Sequence, residues 1–201
     1  MQSHENLHIW FNLYIVRGFF VRELRIHGRG GQGSVTAAEL IAVAAFEGGI
    51  FAQAFPAFGV ERRGAPVQAF VRFDNKKIRK RSQVYEPDYI IVQDSTLIKD
   101  VNVFQGVKTG GIVIVNTEQA PNYSVPEGVK LITIDATSIA LKTLGLPITN
   151  TSLMGAFAAA TGEIAFSALE NALNHRFPKE LAMKNIEAAR VAYNTIKGGT
   201  P

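Results

Sequence analysis

The 201 residues contain no cysteine. That excludes disulfides, a thiolate nucleophile and any cysteine-ligated iron–sulfur cluster held by this chain itself. A redox centre working with it therefore sits on another polypeptide. Charge is scarce as well: charged residues make up 19% of the chain and the formal net charge is only +4. A long apolar run is also missing. Residues 8–21 (HIWFNLYIVRGFFV) are broken by Asn12 and Arg17 and fall short of the roughly 20 apolar residues that a membrane span needs. They lack the basic start and small-residue cleavage site of a secretory signal. Residues 1–22 read as an N-terminal extension and residues 23–201 as one domain, with no membrane partner and a cytoplasmic location expected. His4, His8, His27 and His175 are too scattered to form a metal set. No nucleophile–base pair stands out, so neither a metal site nor a catalytic residue is expected in this chain.

Apolar residues make up 47% of the sequence, enough for a real core. Their spacing alternates between strand-like and helix-like from residue 23 onward. Residues 24–27 form a short strand that runs into a glycine cluster. Residues 36–47 are alanine-rich and helical, with Thr36 and Glu39 spaced as a capping box and Gly48-Gly49 as the stop. A strand follows at 50–55, then a loop over 56–66 containing two prolines and an arginine pair. Residues 67–73 alternate as a strand, Asp74-Asn75 turns, and another strand begins near Ile78, which makes an inserted β-hairpin. Residues 89–92, 112–115 and 131–134 are short continuous apolar runs of the kind that form buried parallel strands. Helices are expected over 95–104, 137–144, from Asn150 or Thr151 to about 174, and from Pro178 to about 197. The fold class is α/β: a single domain with a mostly parallel sheet, an inserted β-hairpin and C-terminal helices.

The strand 24–27 leads into Gly28, Arg29, Gly30, Gly31, Gln32 and Gly33 and then into a helix. Glycines 28, 30 and 33 satisfy G-x-G-x-x-G in its strand–turn–helix setting. Glycines let the backbone approach closely, and a helix N-terminus offers free N–H groups to an anion. A dinucleotide is disfavoured, because the end of the second strand carries Gln53-Ala54-Phe55 instead of the acid that holds ribose hydroxyls. Two readings stay open: a phosphate-bearing ligand of another kind, or a tight turn with close helix packing and no ligand. Arg62 and Arg63 follow Glu61 in the second loop, where an arginine fork suits phosphate or carboxylate; an ordinary Glu–Arg surface pair is the alternative. Lys76, Lys77, Arg79, Lys80 and Arg81 form the densest cationic cluster. With no interleaved aromatics they make a solvated hairpin, or a docking surface for an acidic partner subunit, and not a nucleic-acid site. The small-residue stretch 152–162 suits close helix packing in the core or at a subunit contact. Asp94-Ser95 and Asn116-Thr117 follow strands, where ligands gather in open sheets, and read as caps of the next helices.

Two stretches in order resemble the gamma subunits of 2-oxoacid:ferredoxin oxidoreductases. One is His27-Gly28-Arg29-Gly30-Gly31-Gln32-Gly33 before an alanine-rich helix. The other is Gln53-Ala54-Phe55-Pro56-Ala57-Phe58-Gly59-Val60-Glu61-Arg62-Arg63-Gly64-Ala65-Pro66. The likeness covers the chain after residue 22; the N-terminal extension departs from it. The Phe-Gly-Val-Glu-Arg-Arg-Gly-Ala-Pro form is similar to pyruvate members, with the 2-oxoisovalerate and indolepyruvate enzymes as alternatives within the family. A free-standing nucleotide-binding module is the alternative outside it. The resemblance implies a subunit of a complex that converts a 2-oxoacid, coenzyme A and oxidised ferredoxin into acyl-CoA, carbon dioxide and reduced ferredoxin. Thiamine diphosphate and the iron–sulfur clusters would then sit on alpha, beta and delta-type partner subunits. This chain would serve the coenzyme A side, with residues 28–33, Arg62 and Arg63 as the binding candidates, and would be inactive alone.

Overall fold

A computed structural model describes residues 21–57, 62–118 and 123–198. Residues 1–20 of the N-terminal extension, and residues 58–61 with Glu61 among them, lie outside the described residues. Six strands form one sheet: β1 (Arg22–Arg29), β2 (Phe51–Pro56), β3 (Pro66–Asp74), β4 (Tyr89–Val92), β5 (Ile112–Asn116) and β6 (Lys130–Ile134). Their order is β2-β3-β1-β4-β5-β6. β1, β4, β5 and β6 run parallel, whereas β3 is antiparallel to both β1 and β2. The described helices are α1 (Ser34–Glu47), the short α2 (Leu97–Asp100), α3 (Ala136–Leu144), α4 (Asn150–Thr161), α5 (Phe166–Arg176) and α6 (Lys179–Lys197).

The two faces of the sheet are covered differently. Leu24 and Ile26 of β1, Val71 and Phe73 of β3, Ile91 and Ile114 all point to one face, where α1, α4, α5 and α6 pack. Alternation along each strand puts these residues together. Phe157 of α4 stacks on Phe73 at 6.1 Å and meets Tyr89 edge-on at 5.6 Å, which seats α4 over β3 and β4. Helix α4 is nearly all Gly, Ala and small polar residues and is buried from Asn150 to Ala159. A Cβ on Gly155 would fall within 3.0 Å of the Ala189 carbonyl oxygen of α6, so the small residues serve close packing inside the chain. On the other face, Ile90, Val92, Val113 and Val115 are covered by Leu97, Val103 and the irregular segment around them.

Several boundaries differ from the sequence expectation for physical reasons. Residues 67–73 do not pair with a strand near Ile78; β3 instead pairs antiparallel with β1 and with β2. Both edges of β3 are occupied, by β1 and β2, and the backbone carbonyls of Lys80, Ser82 and Gln83 accept from Arg72 instead of a strand. Only Leu97–Asp100 is helical within 95–104. Val101 is extended, and the Val103 and Gln105 carbonyls accept from Arg25. The stretch from Asn150 to 174 is two helices, divided at left-handed Gly162. Helix α1 starts two residues before Thr36, after left-handed Gly33, so the capping box at Thr36–Glu39 does not form.

Candidate functional site

The structure joins the two sequence motifs into one platform. Gly30 N–H donates to the Ala65 carbonyl (2.9 Å), and Gly64 N–H donates back to the Gly30 carbonyl (3.0 Å). A bridge pairs Gly30 with Arg63. The contact needs glycine, since a Cβ at residue 30 would fall within 3.0 Å of the Arg62 carbonyl oxygen. Gly33 is left-handed (φ 76°), and its missing Cβ leaves room for the Asn150 side-chain amide. Gly28 lies under the side chains of Gln93 and Ser34. Gly31 is also left-handed, with open space above it. Gly31, Arg62 and Arg63 are exposed, and among the described residues neither arginine makes an ion pair.

Arg29 and Gln32 are committed to the scaffold. The Arg29 guanidinium donates to Asp94 Oδ2 (3.0 Å), Thr96 Oγ1 (2.8 Å), Asp100 Oδ2 (2.9 Å) and the Gly64 carbonyl (3.3 Å). The bond to Asp100, then that to Asp94, holds its pKa above the ordinary arginine value against partial burial. Its charge is thus already met by two carboxylates, and it ties the platform to the loop after β4. Gln32 Oε1 accepts from Arg29 N–H (2.7 Å), and its carbonyl accepts from the Gln93 side chain. The Gln32 side chain therefore closes its own turn.

Beside the platform a crevice of about 500 Å³ opens at the carboxyl ends of β1, β4, β5 and β6. The topology makes it: α1 leads from β1 to the β2–β3 side, while β4 pairs on the opposite side of β1. Where connections diverge in this way, the loops part and leave a cleft. Gln32, Gln93, Asp94, Asn116, Thr117, Glu118, Asp135, Thr137 and Thr149 line it. Gln93 is its buried keystone: Ser34 Oγ donates to its side-chain oxygen (2.5 Å), and Asn116 Nδ2 donates to its carbonyl (2.9 Å) and to Thr137 Oγ1 (3.1 Å). Asp135 accepts from Ser138 N–H and caps α3. Asp94 accepts from Thr96 N–H and Oγ1 and opens α2. Asn116, expected as a cap, instead links the ends of β4 and β5 to α3.

The crevice lining carries the carboxylates of Asp94, Glu118 and Asp135 and no lysine or arginine. Burial alone would raise the Asp94 pKa, but hydrogen bonds from Thr96 and then Arg29 outweigh it and keep the acid ionised. Helices α1 and α4 start at its rim without side-chain caps, and their N-terminal dipoles temper the negative lining. The crevice suits a ligand rich in hydroxyl and N–H donors. The exposed arginines of the platform suit an anion. A dinucleotide is disfavoured on geometry as well as on residue type: antiparallel β3 lies between β1 and β2, so the strand after α1 does not adjoin the glycine loop to present a ribose-binding acid.

Behind the platform, His27 is 2% exposed and accepts from Arg25 Nε at 3.0 Å. Burial, then the charge of Arg25, pushes its pKa down to about 3, and burial lowers Arg25 to about 10. His27 is therefore a neutral structural acceptor. The sequence named the glycine loop and the arginines, and marked Asp94 and Asn116 at strand ends while reading them as caps, but missed Gln93, Thr137 and Thr149. These are single polar residues at strand and helix ends, brought together only by the sheet order. Among the described residues no three His, Asp or Glu side chains are placed to hold a metal ion.

Residues 23–195 match the pyruvate ferredoxin/flavodoxin oxidoreductase family. The chain belongs to that family. Pyruvate synthase subunit PorC of Methanosarcina barkeri is 56% identical over 89% of this chain and 98% of its own length. The common subunit gamma of the pyruvate/ketoisovalerate oxidoreductases of Thermococcus litoralis is 53% identical over 85% of this chain and 95% of its own. The crystal structure of pyruvate oxidoreductase subunit PORC from Thermotoga maritima superposes with a TM-score of 0.76 at 35% identity. It covers 87% of this chain and 96% of that one. The oxidoreductase family thus shares the mixed six-stranded sheet. No described helix is long and apolar enough to cross a membrane.

Proposed function

We propose that this chain is the gamma subunit of a cytoplasmic pyruvate:ferredoxin oxidoreductase and supplies the coenzyme A side of its active site. The whole complex oxidatively decarboxylates pyruvate to acetyl-CoA and reduces ferredoxin. By resemblance to the family, thiamine diphosphate and the iron–sulfur clusters belong to the alpha, beta and delta-type partners, and the absence of cysteine from these 201 residues agrees with that for the clusters. The observation that carries the ligand assignment is the fusion of residues 28–33 with residues 62–65 into one platform bearing two exposed arginines that make no ion pair among the described residues. Phosphate groups of coenzyme A lie against Gly31, Arg62 and Arg63. The acceptor-rich crevice beside them takes uncharged, hydrogen-bonding parts of the same molecule. Arg29 and Gln32 contribute by holding the platform in shape.

The test uses the assembled complex with Arg62→Gln and Arg63→Gln in this chain. A hydrogen bond to a charged group is worth about 1.5–3 kcal/mol, so losing one raises the KM for coenzyme A by about 10- to 100-fold. The KM for pyruvate stays unchanged. An unaltered KM for coenzyme A in both variants refutes the assignment. One relative bears on selectivity. A gamma subunit common to pyruvate and ketoisovalerate enzymes serves two 2-oxoacids, which supports placing 2-oxoacid choice on a partner subunit and not on the 53–66 motif.

A further inference from the structure

We propose that the cationic strap of residues 76–83 is a docking surface for an acidic face of a partner subunit, at the far end of the sheet from the ligand platform. The inference rests on the reading of this chain as part of a multi-subunit complex. Lys76, Lys77, Arg79, Lys80 and Arg81 are all exposed. Among the described residues Lys80 alone of the five makes an ion pair, with Glu23 at 3.5 Å, and Glu23 is already bonded to Arg72; Asp74 accepts from the Lys76 backbone N–H. Such a density of unmatched charge repels itself, yet the strap is fixed in place. Arg72, 0% exposed, reaches under it and donates to the carbonyls of Lys80, Ser82 and Gln83 while its Nε meets Glu23 at 2.6 Å. A buried guanidinium bonded to three loop carbonyls holds the like charges outward as a preformed group. Beside them a groove of about 490 Å³ is lined by Lys76, Lys77, Arg79 and Lys80, with Asp74, Val21 and Ile78; four cations against one carboxylate leave its lining positive.

Complementarity favours an acidic protein surface. A single-strand nucleic-acid site would interleave aromatics with the cations, and residues 76–81 contain none. Rim charges of this kind steer association and make it salt-dependent. The strap follows Asp74, the residue after Phe73, which pairs with Arg22 at the start of β1, whereas the platform follows the end of that strand. The eight residues of β1 set the two about 25 Å apart at roughly 3.3 Å per residue. That is beyond the Debye length of about 8 Å at physiological salt, so the two sites are separable.

The experiment replaces four cations together (Lys76→Gln, Lys77→Gln, Arg79→Gln, Arg81→Gln) in the tagged chain, purified with its complex across a sodium chloride series. Arg72 and Lys80 stay. The variant is expected to retain its partners about 10-fold more weakly at physiological salt, with a flatter salt dependence. Its melting temperature and the KM for coenzyme A of the complex that does form should be unchanged. Partner retention and salt dependence identical to the unaltered chain overturn the docking inference, as does charge-dependent binding of a DNA duplex with assembly unaffected. An unaltered chain that brings down no partner at all overturns the complex reading itself, so the two failures are distinguishable.

Discussion

Acid sensitivity should trace to one buried imidazole. His27 accepts from the Arg25 guanidinium and lies in the sheet with 2% of its surface exposed, so protonation would place a second cation against the first without water. Its folded pKa of about 3 lies below the ordinary 6.5. Between those values the unfolded chain binds a proton that the folded chain refuses, so stability is complete above pH 6.5 and is lost as the pH falls. The slope is about 1.4 kcal/mol per pH unit inside the window, which gives a loss of about 2 kcal/mol at pH 5. His27→Gln keeps an acceptor for Arg25 Nε and removes the titration. Urea unfolding of the purified chain and of the variant at pH 7.5 and pH 5 separates this contribution from those common to both. The unaltered chain should lose about 2 kcal/mol more than the variant over that interval. Equal losses would refute the reasoning and mean that His27 is protonated without penalty.

Gly155→Ala forces the backbones of α4 and α6 apart at Ala189. Overpacking of this kind costs about 1–3 kcal/mol, or about 2–4 °C of melting temperature per kcal/mol for a chain of this size; an unchanged melting curve would show that the helices slide freely. Gly30→Ala pushes a Cβ into the Arg62 carbonyl and separates the two halves of the platform. It should raise the KM for coenzyme A of the assembled enzyme with little change in that for pyruvate. Gly49→Ala is the control: it lies outside the platform, meets no atom within 4 Å and bears only left-handed strain of about 1–2 kcal/mol, so an equal KM effect from both would count against the joined platform.

Much of this architecture was legible because local signals and tertiary demands agree. The apolar runs 89–92 and 112–115 are buried on both faces, and the glycine cluster after β1 needs left-handed residues where Gly31 and Gly33 stand. The failures occur where side chains from distant strands compete for the backbone. Residues 101–105 have helical composition, but Arg25, 78 positions before Val103, takes the carbonyls there. Residues 78–83 read as a strand until Arg72 takes theirs. The crevice was only half legible, with Asp94 and Asn116 marked at strand ends but read as caps, for a related reason. Gln93, Asn116 and Thr137 carry no motif, and their meeting depends on β4 and β5 lying side by side. Arg29 was legible as a cation, but its two carboxylate partners come from the loop after β4 and from α2, 65 and 71 positions on. Its role therefore changes from ligand contact to clamp.

Arg25, Arg29 and Arg72 share one logic. Strand alternation puts residues 25 and 29 on the same face of β1, and pairing of Glu23 with Arg72 brings the third arginine to that face. This is the face that no long described helix covers. Irregular chain laid over a sheet buries carbonyl groups that have no ladder or helix to satisfy them, at a cost of about 1–3 kcal/mol each if left unpaired. One guanidinium offers five donors in a rigid plane, so a single strand arginine can serve two or three such carbonyls at once. Arg25 does so for residues 103 and 105, Arg72 for residues 80, 82 and 83, and Arg29 for Gly64 together with the carboxylates of Asp94 and Asp100. Lysine, with three donors on one nitrogen, cannot span those carbonyls. The helical face thus gives the sheet its core, while the arginine face mounts loops on rigid anchors. Both surfaces assigned a binding role, the platform and the cationic strap, hang from that second face.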